Sequence, residues 1–469
     1  MPILRFVRYF LEFLGEVIFT STVEPLGFSA SFSKETKVLK RKHTGFCLTG
    51  TRSLSRQDSY KNALVIGPSG SGKSSIIFIP TILKAKDASL VIHDPSGELY
   101  QKTSGYLARQ GYHVQILNFA DEAYSDGFNP LVRAQSSSEI NKVASMIIRT
   151  VMNSAKSDPF WNLQAISLLS LMIGLIKTEE TQYQTLRNVR ELVHTLSSDA
   201  KVIENMIRAT KQEDLIQEFV SFIAFDEKVK VGVIATVLSA LQIFTDDTVA
   251  KVTSFDSINP ELFRTQKTAL FIQNSVTDGK YYTILSSLFF EQFFASLFTR
   301  LPHDGEHDIL FLLDEAGVLH IPSLAQVISN VRKYRSGILL GMQDFQQLVE
   351  HYGQADAQTI KTNAYAKLYL SGQSHQSAEE ISQVLGKTEV KRDDGQIFIR
   401  PLQTGDEVRM LPPKEAILII GHFPPMKPRL LPYYLQSRLL NLTFFPQPPL
   451  RRKLPHPPLS LSSRINHES

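Results

Sequence analysis

Sulfur chemistry has almost nothing to work with in this chain of 469 residues, which holds a single cysteine, Cys47. One thiol closes no intramolecular disulfide and is too little for a cysteine-based zinc or iron–sulfur centre. A reducing, cytosolic setting is the default expectation. Long apolar runs are missing as well. The best stretches, Ala165–Ile176 and Tyr281–Phe298, are short or carry Glu291 and Gln292, and they read as buried helices rather than membrane spans. Charge of one sign is also in short supply, at a net +4. Both ends are positive, with nine Lys/Arg against five Asp/Glu in residues 1–60 and five against one in residues 437–469, so the middle carries −4. Global charge therefore gives no argument for nucleic-acid binding, which would need a local patch or a pore built from several chains. The length and a 43% hydrophobic content permit two or three domains with a real core.

Residues 1–44 read as an N-terminal amphipathic helix and a basic linker. Arg5, Arg8, Glu12 and Glu16 share one narrow face of the helix, which is either docked on its own domain or an anchor at a membrane surface or partner. Lys37, Lys40, Arg41, Lys42 and His43 follow as a basic cluster. From Asn62 the pattern changes to short apolar runs separated by helical stretches: 63–67, 89–94, 113–119, 268–273, 309–315, 337–343, 366–372 and 416–421 read as strands. Most are apolar throughout, as strands covered on both faces should be, which argues for a largely parallel sheet between helices. Residues 135–254 show helical periodicity and read as an all-α domain inserted between two parts of the α/β domain, 45–134 and 255–434. Residues 435–469 are rich in Pro, Leu and Arg and read as a flexible tail.

The segment GPSGSGKS, residues 67–74, matches G-x-x-x-x-G-K-[ST] between an apolar strand and a helix start. Glycines permit a tight turn that aims backbone N–H groups at phosphate oxygens, at the positive end of a helix. Phosphate contacts are expected from Gly67, Pro68, Ser69, Gly70, Ser71, Gly72, Lys73, Ser74 and Ser75, with Lys73 on the β/γ-phosphates and Ser74 on Mg²⁺. ILFLLDE supplies the acidic partner on a neighbouring strand: Asp314 for the metal's water shell and Glu315 to polarise the attacking water. Gln343, at the tip of another apolar strand, is a candidate to sense the γ-phosphate or orient water. Arg332, Lys333 and Arg335 include a candidate arginine finger or are simply solvated surface. Asp94 either lies near the phosphate loop or caps the helix beginning near Glu98. Trp161 reads as a packing anchor.

Several segments in order, among them VIHDPSGELY, GFNPL, DPFWNLQAISLL, LLDEAGVL…YRSGILLGMQDFQQLVEHYG and RPLQTGDEVRMLPP, resemble the coupling proteins of type IV secretion and conjugation systems (TraG/TraD type), relatives of the FtsK/HerA pumping ATPases. The resemblance runs from about Gly45 to Tyr434. It implies a RecA-like P-loop NTPase domain with an inserted all-α domain, assembled as a homo-hexameric ring with ATP and Mg²⁺ between subunits. By position Arg332 matches the family's trans-acting arginine and Gln343 the glutamine after the acidic strand. The implied work is ATP hydrolysis that recruits a relaxase-bound single strand of DNA, or effector proteins, and feeds them to a secretion channel at the cytoplasmic side of the bacterial inner membrane. Members usually begin with transmembrane helices, whereas this sequence offers the charged amphipathic segment, so membrane attachment is expected to be peripheral, through a partner, or lost, the last leaving the protein cytoplasmic. Alternative readings are a cytosolic FtsK/HerA-like DNA pump and a nucleotide-gated receptor that docks cargo without moving it; a small-molecule kinase is a third class.

Overall fold

The computed structural model describes residues 30–151, 159–273, 279–391, 396–449 and 460–461, so the expected N-terminal helix lies outside the described residues. All eight apolar runs form strands of one sheet: β1 (Ala63–Ile66), β2 (Ala88–His93), β3 (His113–Asn118), β4 (Thr268–Gln273), β5 (Asp308–Leu313), β6 (Ser336–Met342), β7 (Ala366–Leu370) and, last along the chain, β10 (Ala416–Ile420). Their order is β10-β7-β1-β6-β5-β2-β4-β3. Seven run parallel, and β10 closes one edge antiparallel to β7. Alternate side chains feed two separate cores: Ala63, Val65, Leu90 and Ile92 on one face, Leu64, Ile66 and Val91 on the other. That double covering is the physical reason why the strands are apolar at every position rather than at every second one.

Between β3 and β4 the chain makes eight α-helices, from Ser137–Val151 to Leu262–Thr265, and no strand among the described residues. Pro159–Ile176 is long and apolar enough to cross a bilayer, but more than half of it is buried inside the protein, as the central helix of that domain. Trp161 anchors its start, edge-on to Phe160 and lying against Gly232, where a Cβ would come within 2.7 Å of the indole ring. Helix Gly279–Leu297 backs the sheet: Phe293 meets Phe311 of β5 edge-on at 5.5 Å between ring centroids and Phe294 lies 4.7 Å from it. Burial of each such ring contributes about 2–3 kcal/mol, so β5 is held rigidly from behind.

Two features depart from expectation. A two-stranded antiparallel hairpin, β8 (Lys387–Lys391) with β9 (Ile397–Pro401), stands beside the main sheet, with Ile397 and Ile399 exposed. Residues 435–449 do pack: a helix, Ser437–Leu442, buries Leu439, and Phe445 lies against Tyr106 and under the Arg109 guanidinium. Helix Glu98–Arg109 accepts this segment because Gly105 has no side chain; a Cβ there would sit 2.3 Å from the Phe445 carbonyl oxygen. Further on, Leu461 is buried, and its N–H donates to Asn188 Oδ1 of the all-α domain (3.2 Å). Proline-rich composition signals missing regular structure, but a few apolar anchors suffice to dock an extended chain.

Candidate active site

β1 ends at Ile66, and the Gly67 N–H donates to the Met342 carbonyl of β6 (3.0 Å), which fixes where the loop leaves the sheet. Gly70 and Gly72 then take φ of +77° and +92°, a region in which a Cβ would be strained. The chain re-enters helical geometry through a wide π-type turn, Lys73–Phe78, continuous with helix Ile79–Lys84. Backbone N–H groups at such a helix start lack intrahelical acceptors and favour an anion. Lys73 is buried and folds back on its own loop, donating to the carbonyls of Gly67 (2.6 Å) and Pro68 (3.3 Å). Desolvation pulls its pKa below the ordinary lysine value, opposed by the nearby charges of Asp314 and Glu315.

Asp314 follows β5 directly, but β5 is not the strand neighbouring β1 that the sequence suggests: β6 runs between them. The two strands nonetheless converge on one site, because Ser74 Oγ donates to Asp314 Oδ2 at 2.6 Å. The contact reaches across β6 at Gly341, where a Cβ would meet Phe78 at 2.8 Å and approach Asp314 Oδ1 at 3.3 Å. Asp314 Oδ1 itself is buried without a hydrogen-bond partner. Burial raises the Asp314 carboxyl to about 6, with the Ser74 hydrogen bond and Lys73 pulling the other way. A buried, unsatisfied carboxylate oxygen next to a serine hydroxyl is an all-oxygen donor set that suits Mg²⁺ rather than a softer metal. Ser74 and Asp314 are thus the residues that would hold the ion, Asp314 through its water shell; when bound, it would neutralise charge on the β/γ-phosphates.

Glu315 stands next along the chain, half-buried, with φ +62° and ψ 48°. Gln343, exposed, follows β6 beside the start of the phosphate loop. The structure therefore brings Lys73, Ser74, Asp314, Glu315 and Gln343 to one end of the sheet, the carboxyl ends of its parallel strands, where ligands of open α/β sheets bind. Arg332 is not among them. It lies exposed in the turn Val331–Tyr334 before β6, and the seven residues of that strand put it roughly 20 Å from the loop at the far end. Its guanidinium has no side-chain hydrogen bond or ion pair among the described residues. Arg335, by contrast, is committed: it pairs with buried Asp308 (2.8 Å) and donates to the carbonyls of His303 (3.0 Å) and Glu306 (2.7 Å). Asp94 resolves to a helix cap, its oxygens accepting from the N–H groups of Leu99 (3.2 Å) and Tyr100 (2.7 Å). Burial raises it to about 7, and the charge of Asp314 adds to the rise.

Two residues around the site carried no signal strong enough to single out from sequence. His93, fully buried, places Nδ1 3.1 Å from the Asp314 carbonyl, and burial lowers its pKa to about 4, so it is neutral at physiological pH. Gln373 donates from Nε2 to the carbonyls of Ile66 (3.0 Å) and Leu370 (2.7 Å), joining the ends of β1 and β7 under the phosphate loop. Each is a polar residue at the end of an apolar strand, which was the available clue.

Fold and site together define a phosphate-loop nucleotide-binding protein of the RecA-like α/β class, with an all-α insertion. A family model described as "Type IV secretory system Conjugative DNA transfer" matches residues 27–450, and the chain belongs to that family. It is similar to Protein VirD4 of Rhizobium radiobacter, 23% identical over 440 residues, covering 87% of this chain and 61% of the relative. It is also similar to the type IV secretion system-coupling protein VirD4 of Bartonella quintana, 22% identical over 338 residues, covering 69% and 52%. The chain thus spans about three-fifths of the length of the first relatives it matches, or less. Among solved structures, the plasmid coupling protein TrwB in complex with ADP and Mg²⁺ superposes with a TM-score of 0.66 at 19% identity, over 92% of this chain and 96% of that one. The bacterial conjugative coupling protein TrwBdeltaN70 in complex with sulphate gives 0.68 at 20%, over 86% and 92%.

Proposed function

We propose that this chain is the motor of a type IV secretion or conjugation system: an ATPase that binds MgATP at Lys73, Ser74 and Asp314 and uses its hydrolysis to deliver DNA, as a relaxase-bound single strand, or protein effectors to the secretion channel. The observation that carries the reading is the Ser74–Asp314 hydrogen bond beneath the phosphate loop, with Asp314 Oδ1 left unsatisfied beside it. In that arrangement Lys73 turns from the Gly67 and Pro68 carbonyls to the β/γ-phosphates, Glu315 accepts a proton from the attacking water, and Gln343 orients that water or reads the γ-phosphate. Family membership supports the coupling role, and the solved TrwB complexes with ADP and Mg²⁺ and with a non-hydrolysable ATP analogue support nucleotide and metal as ligands. Arg332, exposed at the opposite ends of the strands, is too far to serve its own nucleotide. It suits a role in trans, on the nucleotide of the adjacent subunit in a homo-hexamer. The cytoplasmic face of the inner membrane is the corresponding location, with the N-terminal segment or a partner making the contact.

The test is an ATPase assay with and without single-stranded DNA, run on the parent and on Glu315→Gln. The parent should hydrolyse ATP faster with DNA. Loss of the general base should cost about 10²- to 10⁴-fold in turnover while ATP binding persists. Parental turnover in Glu315→Gln, or phosphoryl transfer to a small acceptor instead of water, would refute the assignment.

A further inference from the structure

Helix Gln346–Asn363 is broken at Gly353, whose φ of +74° and ψ of 167° are not helical, so residues 346–352 form a separate short piece. That piece sends three side chains to the loop following Asp314. His351 Nε2 lies 2.6 Å from the Gly317 carbonyl oxygen. The Tyr352 hydroxyl donates to the Leu319 carbonyl (3.3 Å) and accepts from the Ile321 N–H (3.0 Å). The Gln347 amide lies so close to Gly317 that a Cβ there would be 2.4 Å from Oε1. The same Oε1 accepts from the backbone N–H of Gln343 at 3.0 Å. Gln347 and His351 are one turn apart and share a face.

At the head of this loop, Glu315 occupies left-handed backbone space, which costs a non-glycine residue about 1–2 kcal/mol and persists only where the surroundings hold it. Inside the turn, the N–H groups of Val318 and Leu319 donate to the carbonyls of Glu315 (3.1 Å) and Ala316 (3.2 Å). Residues 346–352 brace it from outside. We propose that Gln347 is a positioning residue for hydrolysis: its Oε1 accepts from the Gln343 backbone N–H while its amide packs against Gly317 in the turn that bears Glu315, so that glutamine and carboxylate are held in register as one unit. The inference rests on the reading of Glu315 and Gln343 given above. Phosphate binding does not pass through Gln347, because Lys73 and its loop lie on β1 and the helix after it. Loss of the tie should therefore lower kcat and spare nucleotide affinity.

The experiment compares the parent, Gln347→Met, Gly317→Ala and Glu315→Gln as full chains, reading kcat, MgATP affinity with a fluorescent analogue, and Tm. Gln347→Met keeps the side chain's length and removes the acceptor; Gly317→Ala drives a methyl into Oε1 and displaces the amide. Each should lower kcat about tenfold or more with affinity unchanged, since small misplacements of reacting groups are costly. Gln347→Met combined with Gln343→Ala should be no slower than the worse single variant. Should Gln347→Met fail to fold, Gly317→Ala gives the same reading. Parental kcat in both variants, losses that multiply in the double variant, or a fall in affinity matching the fall in kcat overturns the proposal. If Glu315→Gln is inactive while Gln347→Met is fully active, the tie is wrong and the site reading stands; if Glu315→Gln turns over normally, both fall.

Discussion

Replacement of Asp314 by asparagine should stabilise the nucleotide-free protein while destroying its use of Mg²⁺. Asp314 is buried, its Oδ1 unpaired, and its carboxyl raised from 3.8 to about 6. The folded state therefore holds the proton more tightly than the unfolded chain does, and the charged form is penalised above pH 6. A rise of about two units corresponds to on the order of 3 kcal/mol at pH 7.5. Asparagine keeps an oxygen for Ser74 Oγ–H and carries no charge, so Asp314→Asn relieves the penalty. As pH falls from about 6 toward 3.8 the parent's folded form takes up its proton first and recovers stability, so the advantage of the variant should shrink to roughly half by pH 5. Thermal unfolding without nucleotide at pH 7.5 and pH 5 should show a Tm several degrees above the parent at the higher pH and a smaller gap at the lower. Magnesium-dependent ATP turnover should be lost in the same preparation. A lower Tm at pH 7.5, or a gap that does not narrow on acidification, would refute the electrostatic reasoning.

The remaining predictions concern the ring, the far edge of the sheet and the C-terminal segment. Arg332→Ala should depress hydrolysis with nucleotide affinity intact, and mixing it with Lys73→Ala, itself inactive, should partly restore turnover in mixed rings; no restoration counts against a shared site. Asp308, almost fully buried at the start of β5, is held by Arg335, Arg56 and the Tyr60 hydroxyl. Asp308→Ala should cost about 2–4 kcal/mol in denaturant unfolding, since it strips several partners of a buried acceptor, whereas a change within experimental error would contradict the packing described. Gly105→Ala places a methyl against the Phe445 and Pro446 carbonyls. Amide hydrogen exchange across residues 436–449 should rise, with a loss of about 1–3 kcal/mol; unchanged protection would show that the segment does not dock there.

The phosphate loop and the Asp-Glu pair were readable from residue pattern because their chemistry places unusual residues at the ends of buried strands. The eight strands of the main sheet were readable because a doubly covered sheet leaves an unbroken apolar signature. Strand direction leaves no such mark, so the antiparallel β10 and the strand between β1 and β5 emerged only in three dimensions. The β8–β9 hairpin was invisible for the opposite reason: KTEVK is mostly polar, and IFIRP is apolar yet largely exposed, so neither carries a burial pattern. Composition misled at the C-terminus, where Leu439 and Phe445 dock a Pro-rich segment against a helix that Gly105 leaves open. Gln347 and His351 carry no sequence pattern that sets them apart from other polar residues. Their part in holding Glu315 depends on a left-handed backbone that sequence does not announce.

A structure of the chain with a non-hydrolysable ATP analogue and Mg²⁺ tests the central claim most directly. The account predicts the phosphates within hydrogen-bond distance of Lys73 Nζ, and the ion against Ser74 Oγ with Asp314 behind one of its waters. Nucleotide bound elsewhere, or an ion that does not touch Ser74, would contradict it.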